Sequence, residues 1–419
     1  MSSSVDPRTI AIRDFHYELP QERIAKYPLE ERDASKLLIW QNGNIQEEQY
    51  KNVAAFVPEH AQLVFNDSRV IRARLFFKNV NGKKIEVFCL DPSEPADMAQ
   101  SMSAVGKVVW KTLVGGASKT MDPHLKSWDD ALPFNACILE RKSDHFLVEF
   151  TWTQNLSFAE LLDRTGALPI PPYLKRDTEN IDAERYQTVY AKEEGSVAAP
   201  TAGLHFTKRI FKALEEKKVE SLFLTLHVGA GTFKPVKADT MAFHDMHAET
   251  LMVRKNTLLQ LLKSINEFRA VVGTTSMRTL ESLYWLGEKV LRHPDLEASD
   301  LLVDQWQAYD FPAHGLSPER ALQALVDWMN RKDLHEFQTR TSIIIAPGYQ
   351  FRLSHALFTN FHQPGSTLIL LVAAILGEKW KEVYDYAMEH DFRFLSYGDG
   401  SLLFIPESFQ FRALSEEPQ

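Results

Sequence analysis

From about Arg74 to Thr153 the chain carries short runs of β-favouring residues and almost no helical periodicity: Leu75-Phe76-Phe77, Ile85 to Phe88, Val108 to Trp110, Ala136 to Leu139 and Phe146 to Phe150. Gly, Asp, Asn and Pro separate them. Strands this short can be satisfied only by pairing with one another, which predicts a small antiparallel barrel or sandwich. Helix and strand patterns resume after this piece, so it reads as an insertion. Residues 1–73 and 154–419 are expected to form the main α/β domain, and 74–153 the inserted β-barrel.

The main domain shows its own punctuation. Lys36 to Gln41 meets Asn42-Gly43, a pair suited to a tight hairpin, and the chain returns through Ile45 to Tyr50. Gln62 to Phe65 is a β-rich run that ends in Asn66-Asp67-Ser68. After the insert come a helix from Lys208 to Glu220 behind Thr207, a strand from Ser221 to Val228, a helix from Asn256 to Arg269, a strand from Ala270 to Gly273 and a helix around Arg278 to Leu286. Ile343-Ile344-Ile345 and Ser401 to Ile405 complete the expected strands. Such alternation predicts a mainly parallel, barrel-like α/β layer covered by helices. Residues 288–339, with Trp306 and a helix from Ser317 to Asn330, read as a long insertion or arm.

Composition narrows the function classes. Net charge is −9 with a pI near 5.9, so the chain does not advertise nucleic-acid binding as a whole. Any such contact must be local, and Arg69, Arg72 and Arg74, then Lys175 and Arg176, are the candidate clusters against a plain reading as solvated faces. The longest apolar stretch, Leu368 to Leu376, is far short of the ~20 residues that span a bilayer. The N-terminal residues show no basic segment followed by an apolar run, so no signal or transit peptide is expected and the cytosol is the expected compartment. Cys89 and Cys137 are too far apart for a Cys-x-x-Cys motif.

Several loops could carry chemistry. Gly195 to Phe206 is rich in small residues, which let a ligand approach the backbone, and it places His205 before a helix whose dipole would keep the imidazole neutral. Leu226 to Phe233 puts His227 at a strand end beside the Gly229-Ala230-Gly231-Thr232 turn. Lys234 stands where a dinucleotide fingerprint needs a third glycine. Gly273 to Ser282 is a strand, turn and helix in which Thr275 and Arg278 could hold a carboxylate or phosphate; alternatively Thr275 or Ser276 caps the helix and Arg278 pairs with Glu281. Asn360 to Thr367 and Ser396 to Gly400 are polar loops between buried elements. His244-x-x-His247 could present two imidazoles on one helical face, but the specific zinc spacings are missing, so no metal is expected.

Taken in order, these segments resemble the S-adenosylmethionine:tRNA ribosyltransferase-isomerase family of queuosine biosynthesis. The matching residues are Asp14 to Pro20, Pro28 to Ser35, Val64 to Ile71, Leu168 to Tyr173 with Lys175-Arg176, Arg185 to Tyr190, Ala199 to Phe206, Leu226 to Phe233, Gly273 to Ser282, Pro347 to Tyr349, Asn360 to His362 and Ser396 to Asp399. The resemblance implies a large α/β domain with a small inserted β-barrel. It also implies transfer of the ribosyl unit of S-adenosylmethionine to 7-aminomethyl-7-deazaguanine in tRNA, giving epoxyqueuosine, adenine and methionine. S-adenosylmethionine would be a consumed cosubstrate, with no prosthetic group. The stretch Leu283 to Ser342 is longer than in a typical member.

That chemistry needs a base for the proton beside the sulfonium, for which His205 or His227 is the candidate, and a carboxylate near the developing positive charge, for which Asp67 or Asp399 is. Asn66, Arg69, Arg72, Lys175, Arg176, Thr201, Gly203, Gly229, Gly231, Thr232, Thr275, Arg278, Glu281, Asn360, His362 and Tyr397 are the expected substrate-binding positions. The expected partners are tRNA, through a local basic patch, and S-adenosylmethionine, with the protein a monomer and no membrane involved. Two other classes compete: a metal-dependent hydrolase built on the histidines, and a non-catalytic RNA-binding protein.

Overall fold

The computed structural model describes residues 6–117, 122–229, 236, 238–310 and 316–410. Its strands are β1 (Lys36–Gln41), β2 (Asn44–Gln49), β3 (Gln62–Asn66), β4 (Ser68–Val70), β5 (Arg74–Lys78), β6 (Lys84–Glu94), β7 (Lys107–Val114), β8 (His124–Ser127) and β9 (Asn135–Arg141). They continue with β10 (Phe146–Thr151), β11 (Glu193–Ser196), β12 (Glu220–His227), β13 (Glu249–Arg254), β14 (Arg269–Val272), β15 (Glu336–Thr341), β16 (Ala356–Asn360) and β17 (Gly400–Phe404). The β1–β2 hairpin turns on Asn42 and Gly43, with φ of 51° and 83°, as the Asn-Gly pair predicts.

The inserted piece is a closed barrel in the order β10-β7-β6-β5-β8-β9. Phe77, Trp110 and Phe150 fill it, and Phe158 of the helix Phe158–Thr165 packs on the same core. Its β8 escaped the sequence reading because in His-Leu-Lys-Ser only Leu125 and Ser127 turn inward.

The large sheet has nine strands in the order β15-β13-β12-β3-β14-β16-β17-β1-β2. It is mixed and its strand order is open, whereas the helix–strand alternation predicted a mainly parallel, barrel-like layer. β12, β3, β14 and β16 form a parallel block and β17 and β1 a parallel pair, while β17 reverses against β16 and β13 against β12. The parallel strands are buried on both faces, which explains their continuous apolar runs. Leu63, Phe65 and Val272 face the layer formed by Tyr50–Phe56 and the helix Lys208–Glu216; Val64 and Val271 face the helices Thr274–Arg292, Pro318–Arg331 and Thr367–Leu376.

Two expectations need correction. Ile343 to Ile345 form no strand; they lie beyond β15, and the Ile344 amide donates to the Gln305 carbonyl at 3.3 Å. Residues 288–339 are not an arm standing off the domain. They supply edge strand β15 and the helix Pro318–Arg331, whose Trp328 is fully buried and donates to the Leu296 carbonyl at 3.1 Å. Trp306 lies under the Arg8 guanidinium, 4.9 Å from its ring centroid.

Candidate active site

Strands β3, β12, β14 and β16 run in one direction, so Asn66, His227, Val272 and Asn360 all end at one edge of the sheet. Ligands of open α/β sheets bind at such an edge. A cleft of about 750 Å³, counted to its open mouth, lies there. Its walls come from separate loops: Ala198 to Ala202, Gly273 to Thr275, Thr359 to Gln363 and Ser396, with Tyr173 and Tyr186. Gly273, at φ 95°, turns β14 directly into the helix Thr274–Arg292, and no side chain caps that helix. Ser276 bonds back to the Val272 carbonyl instead, at 2.6 Å, so Thr274 and Thr275 bring uncapped amides to the cleft wall.

Behind Asn360 stands His205. It ends the 3-10 helix Thr201–His205 instead of starting the helix Lys208–Glu216, so the expected dipole effect does not apply. Burial is what keeps the imidazole neutral, lowering its pKa to about 4 against the pull of the nearby Asp399 charge. The ring stacks on Tyr50 at 4.2 Å between centroids. Nδ1 donates to the Arg32 carbonyl at 3.4 Å, which leaves Nε2 to accept from Asn360 Nδ2, also at 3.4 Å. Asn360 Oδ1 accepts from Thr201 Oγ1 at 2.8 Å. An ordered polar chain thus runs from the buried imidazole to the cleft surface.

Residues 12–403 match the family described as queuosine biosynthesis protein. The chain belongs to that family. It is 34% identical over 396 residues to the S-adenosylmethionine:tRNA ribosyltransferase-isomerase of Francisella philomiragia, and 34% identical over 396 residues to the same-named protein of Francisella tularensis subsp. mediasiatica; each alignment covers 93% of this chain and 99% of the relative. A crystal structure of the S-adenosylmethionine tRNA ribosyltransferase of Thermotoga maritima is 25% identical, covers 93% of this chain and 99% of its own, and gives a TM-score of 0.44.

Among the expected substrate-binding positions, the structure brings Thr201, Thr275, Asn360 and His362 into one cleft. His362 accepts or shares a proton with Thr359 Oγ1 at 2.8 Å, and burial lowers its pKa to about 3. Other expected positions are committed to the protein. Arg278 is buried and pairs with Glu249 at 2.5 Å, neither gripping the cleft nor meeting Glu281. Burial opposes the Glu249 charge, yet Arg278 and His247 hold its pKa at about 2. Glu281 accepts from Tyr349 Oη, Ser354 Oγ and the amides of Arg352 and Leu353. Asn66 staples β3 to Leu226 through both amide atoms. Arg176 forks onto Asp182, which also accepts from Tyr397 at 2.7 Å.

The carboxylates are spent similarly. Asp399 accepts from the Lys36 amide and from the amide and guanidinium of Arg393. Asp67 is buried under Thr225 at 2.7 Å, and burial raises its pKa. Gly203 serves packing: a Cβ there would fall 1.9 Å from Tyr190 Oη. Arg69, Arg72 and Lys175 are exposed or partly exposed, Arg69 lying 4.0 Å from Glu194 and Arg72 3.3 Å from Asp163. Gly229 ends the described part of its turn; Gly231 and Thr232 lie outside the described residues.

His227 opens on a different cleft, described below. His244 and His247 follow a 3-10 turn and are not on a helix. Among the described residues, no group of three or more His, Cys, Asp or Glu side chains could hold a metal, and no helix is long and apolar enough to cross a membrane. The sequence reading missed Tyr50, whose ring carries His205, because nothing local marks a stacking partner 155 positions away. Tyr173 and Tyr186 fall in segments that carry the resemblance, and that was the signal that could have placed them in the cleft wall.

Proposed function

We propose that this chain is an S-adenosylmethionine:tRNA ribosyltransferase-isomerase. It transfers and isomerises the ribosyl unit of S-adenosylmethionine onto 7-aminomethyl-7-deazaguanine in tRNA, forming epoxyqueuosine and releasing adenine and methionine. S-adenosylmethionine is a consumed cosubstrate, no prosthetic group takes part, and the enzyme acts as a cytoplasmic monomer. The observation that carries this reading is the convergence of the family's loops, far apart in sequence, on one cleft at the carboxyl edge of the parallel strands.

In this reading the uncapped amides at Thr274 and Thr275 hold the methionine carboxylate. Thr201 and Asn360 orient the nucleoside. His205 is the base, since its Nε2 carries no proton and only a long bond to Asn360 covers it, one that an entering substrate can displace. Transfer-RNA docks through a local basic surface to which Arg69, Arg72 and Lys175 contribute.

The test is adenine release from S-adenosylmethionine, measured with tRNA carrying the aminomethyl base and with unmodified tRNA. Release that depends on the modified base is expected. Absence of release with either tRNA would overturn the assignment.

A further inference from the structure

A second cleft, about 970 Å³ to its open mouth, lies where the barrel meets the edge of the large sheet. One wall is barrel, with Asp91 of β6 and Lys111 of β7; the other is the outer face of β12, β13 and β15. There His227 pairs in register with Thr250, and Thr250 with Arg340, so the three side chains stand in a row on one face. Two strand spacings set the row at roughly 10 Å.

Gln338 and Thr339 of this cleft are spent, on Asp97 at 3.0 Å and on the Leu301 carbonyl, but its two cations are not paired among the described residues. Lys111 is half-buried and Arg340 exposed, and neither forms an ion pair or a side-chain hydrogen bond among the described residues, whereas Arg69, Arg72, Arg74 and Arg176 all face carboxylates. His227 has a buried Nδ1 with no partner, pressed toward Gly195, where a Cβ would come within 2.9 Å of it. An unpartnered lone pair costs less there than an unpartnered N–H, which puts the ring proton on Nε2, the nitrogen free to face the cleft. Two cations, an imidazole N–H and the Thr250 hydroxyl then share the cleft with Asp91, which stands opposite Lys111 in the β6–β7 register, while the Glu193 and Asp97 charges also act on His227. Such a set suits an anion with several acceptor oxygens.

The two clefts adjoin at the end of β12. His227 lines the second and Val228, the next residue, lines the first. A polynucleotide with its reacting base in the first cleft can pass this strand end and bring its adjoining backbone to the second.

We infer that the junction cleft binds a backbone phosphate of the tRNA, next to the nucleotide being modified, through Lys111, Arg340 and His227. The inference rests on the proposed function. It is tested by measuring tRNA binding over a range of salt for the full chain, for the double variant Lys111→Ala/Arg340→Ala, and for a control, Lys208→Ala/Lys212→Ala, that removes equal charge from an exposed helix elsewhere. One phosphate contact contributes a slope of about 0.7 to 0.9 in log K against log salt. The junction variant is expected to bind about tenfold more weakly with a slope lower by about one contact, and the KM for S-adenosylmethionine is expected to stay near that of the wild type. A junction variant that binds tRNA no worse than the control overturns the site. A wild-type chain that binds no tRNA overturns the function itself.

Discussion

The two clefts meet at one strand end and are built on opposite plans. In the first, one polar chain is satisfied internally: Arg32 carbonyl, His205, Asn360 and Thr201 are linked in a geometry fixed before any substrate arrives. In the second, Lys111 and Arg340 reach solvent and carry no ion pair among the described residues. A closed chain can orient and exchange a proton, and its energetics barely depend on salt. An open row of cations attracts and positions a polyanion, and its strength falls as salt rises. Substitutions in the first cleft should therefore be read in turnover, and those in the second in binding.

The largest effect that could break this contrast is loss of His205. His205→Ala should lower adenine release at saturating tRNA by about 100-fold to 10,000-fold, the range for a general base, while tRNA affinity holds. Turnover within about threefold of wild type would remove His205 from the chemistry. Arg278 sets the opposite expectation, because its charge is spent inside the protein. Arg278→Met should cost about 3–5 kcal/mol in urea unfolding by taking from the buried Glu249 carboxylate its arginine partner, and adding Glu249→Gln should restore much of that loss. If Arg278→Met instead folds normally and loses only S-adenosylmethionine binding, the arginine faces the substrate after all.

Arg278 also shows what a sequence can reveal here. The strand, turn and helix around Gly273 were legible because a glycine between an apolar run and hydroxyl-bearing residues has few other uses, and the barrel because its runs are too short for helices. Which side of the helix Thr274–Arg292 each residue faces was not legible, since nearly every position of its first half is buried and no polar face stands out. Thr275 therefore landed in the cleft, while Arg278 and Glu281 found partners on β13 and in the loop after residue 350. Lys111 and Arg340 carry no motif at all. Their meeting depends on how the barrel seats against the sheet, a long-range fact that local pattern does not encode.

Acidity supplies a smaller effect that reaches beyond the two clefts. Burial lowers His205, His227 and His355 to about 4 and His362 to about 3, from a usual value near 6.5. The unfolded chain binds protons first, so the stability these neutral imidazoles confer is complete above pH ~6.5 and is lost as pH falls toward the folded values. Each contributes a slope of up to about 1.4 kcal/mol per pH unit in that window. Urea unfolding at pH 7 and pH 5.5 should show a marked loss, and pH-independent stability would mean that the imidazoles are open to water. The acid limb of kcat should likewise sit nearer 4 than 6.5 if His205 is the base.

Tyr50 sharpens the contrast at its finest point. Its ring lies flat on His205, but its hydroxyl is buried without a partner and crowds Gly400, where a Cβ would fall 2.2 Å away. If the first cleft works by fixed geometry, the ring matters and the hydroxyl does not. Tyr50→Phe removes an unsatisfied polar atom and keeps the stack, so stability should shift by less than about 1 kcal/mol and adenine release should stay within about twofold. Tyr50→Leu keeps an apolar side chain and loses the stack, worth about 0.5–1.5 kcal/mol, and leaves the imidazole free to tilt away from the Arg32 carbonyl. Its turnover should fall further than its stability, whereas an equal loss of activity in both variants would assign a catalytic part to the hydroxyl.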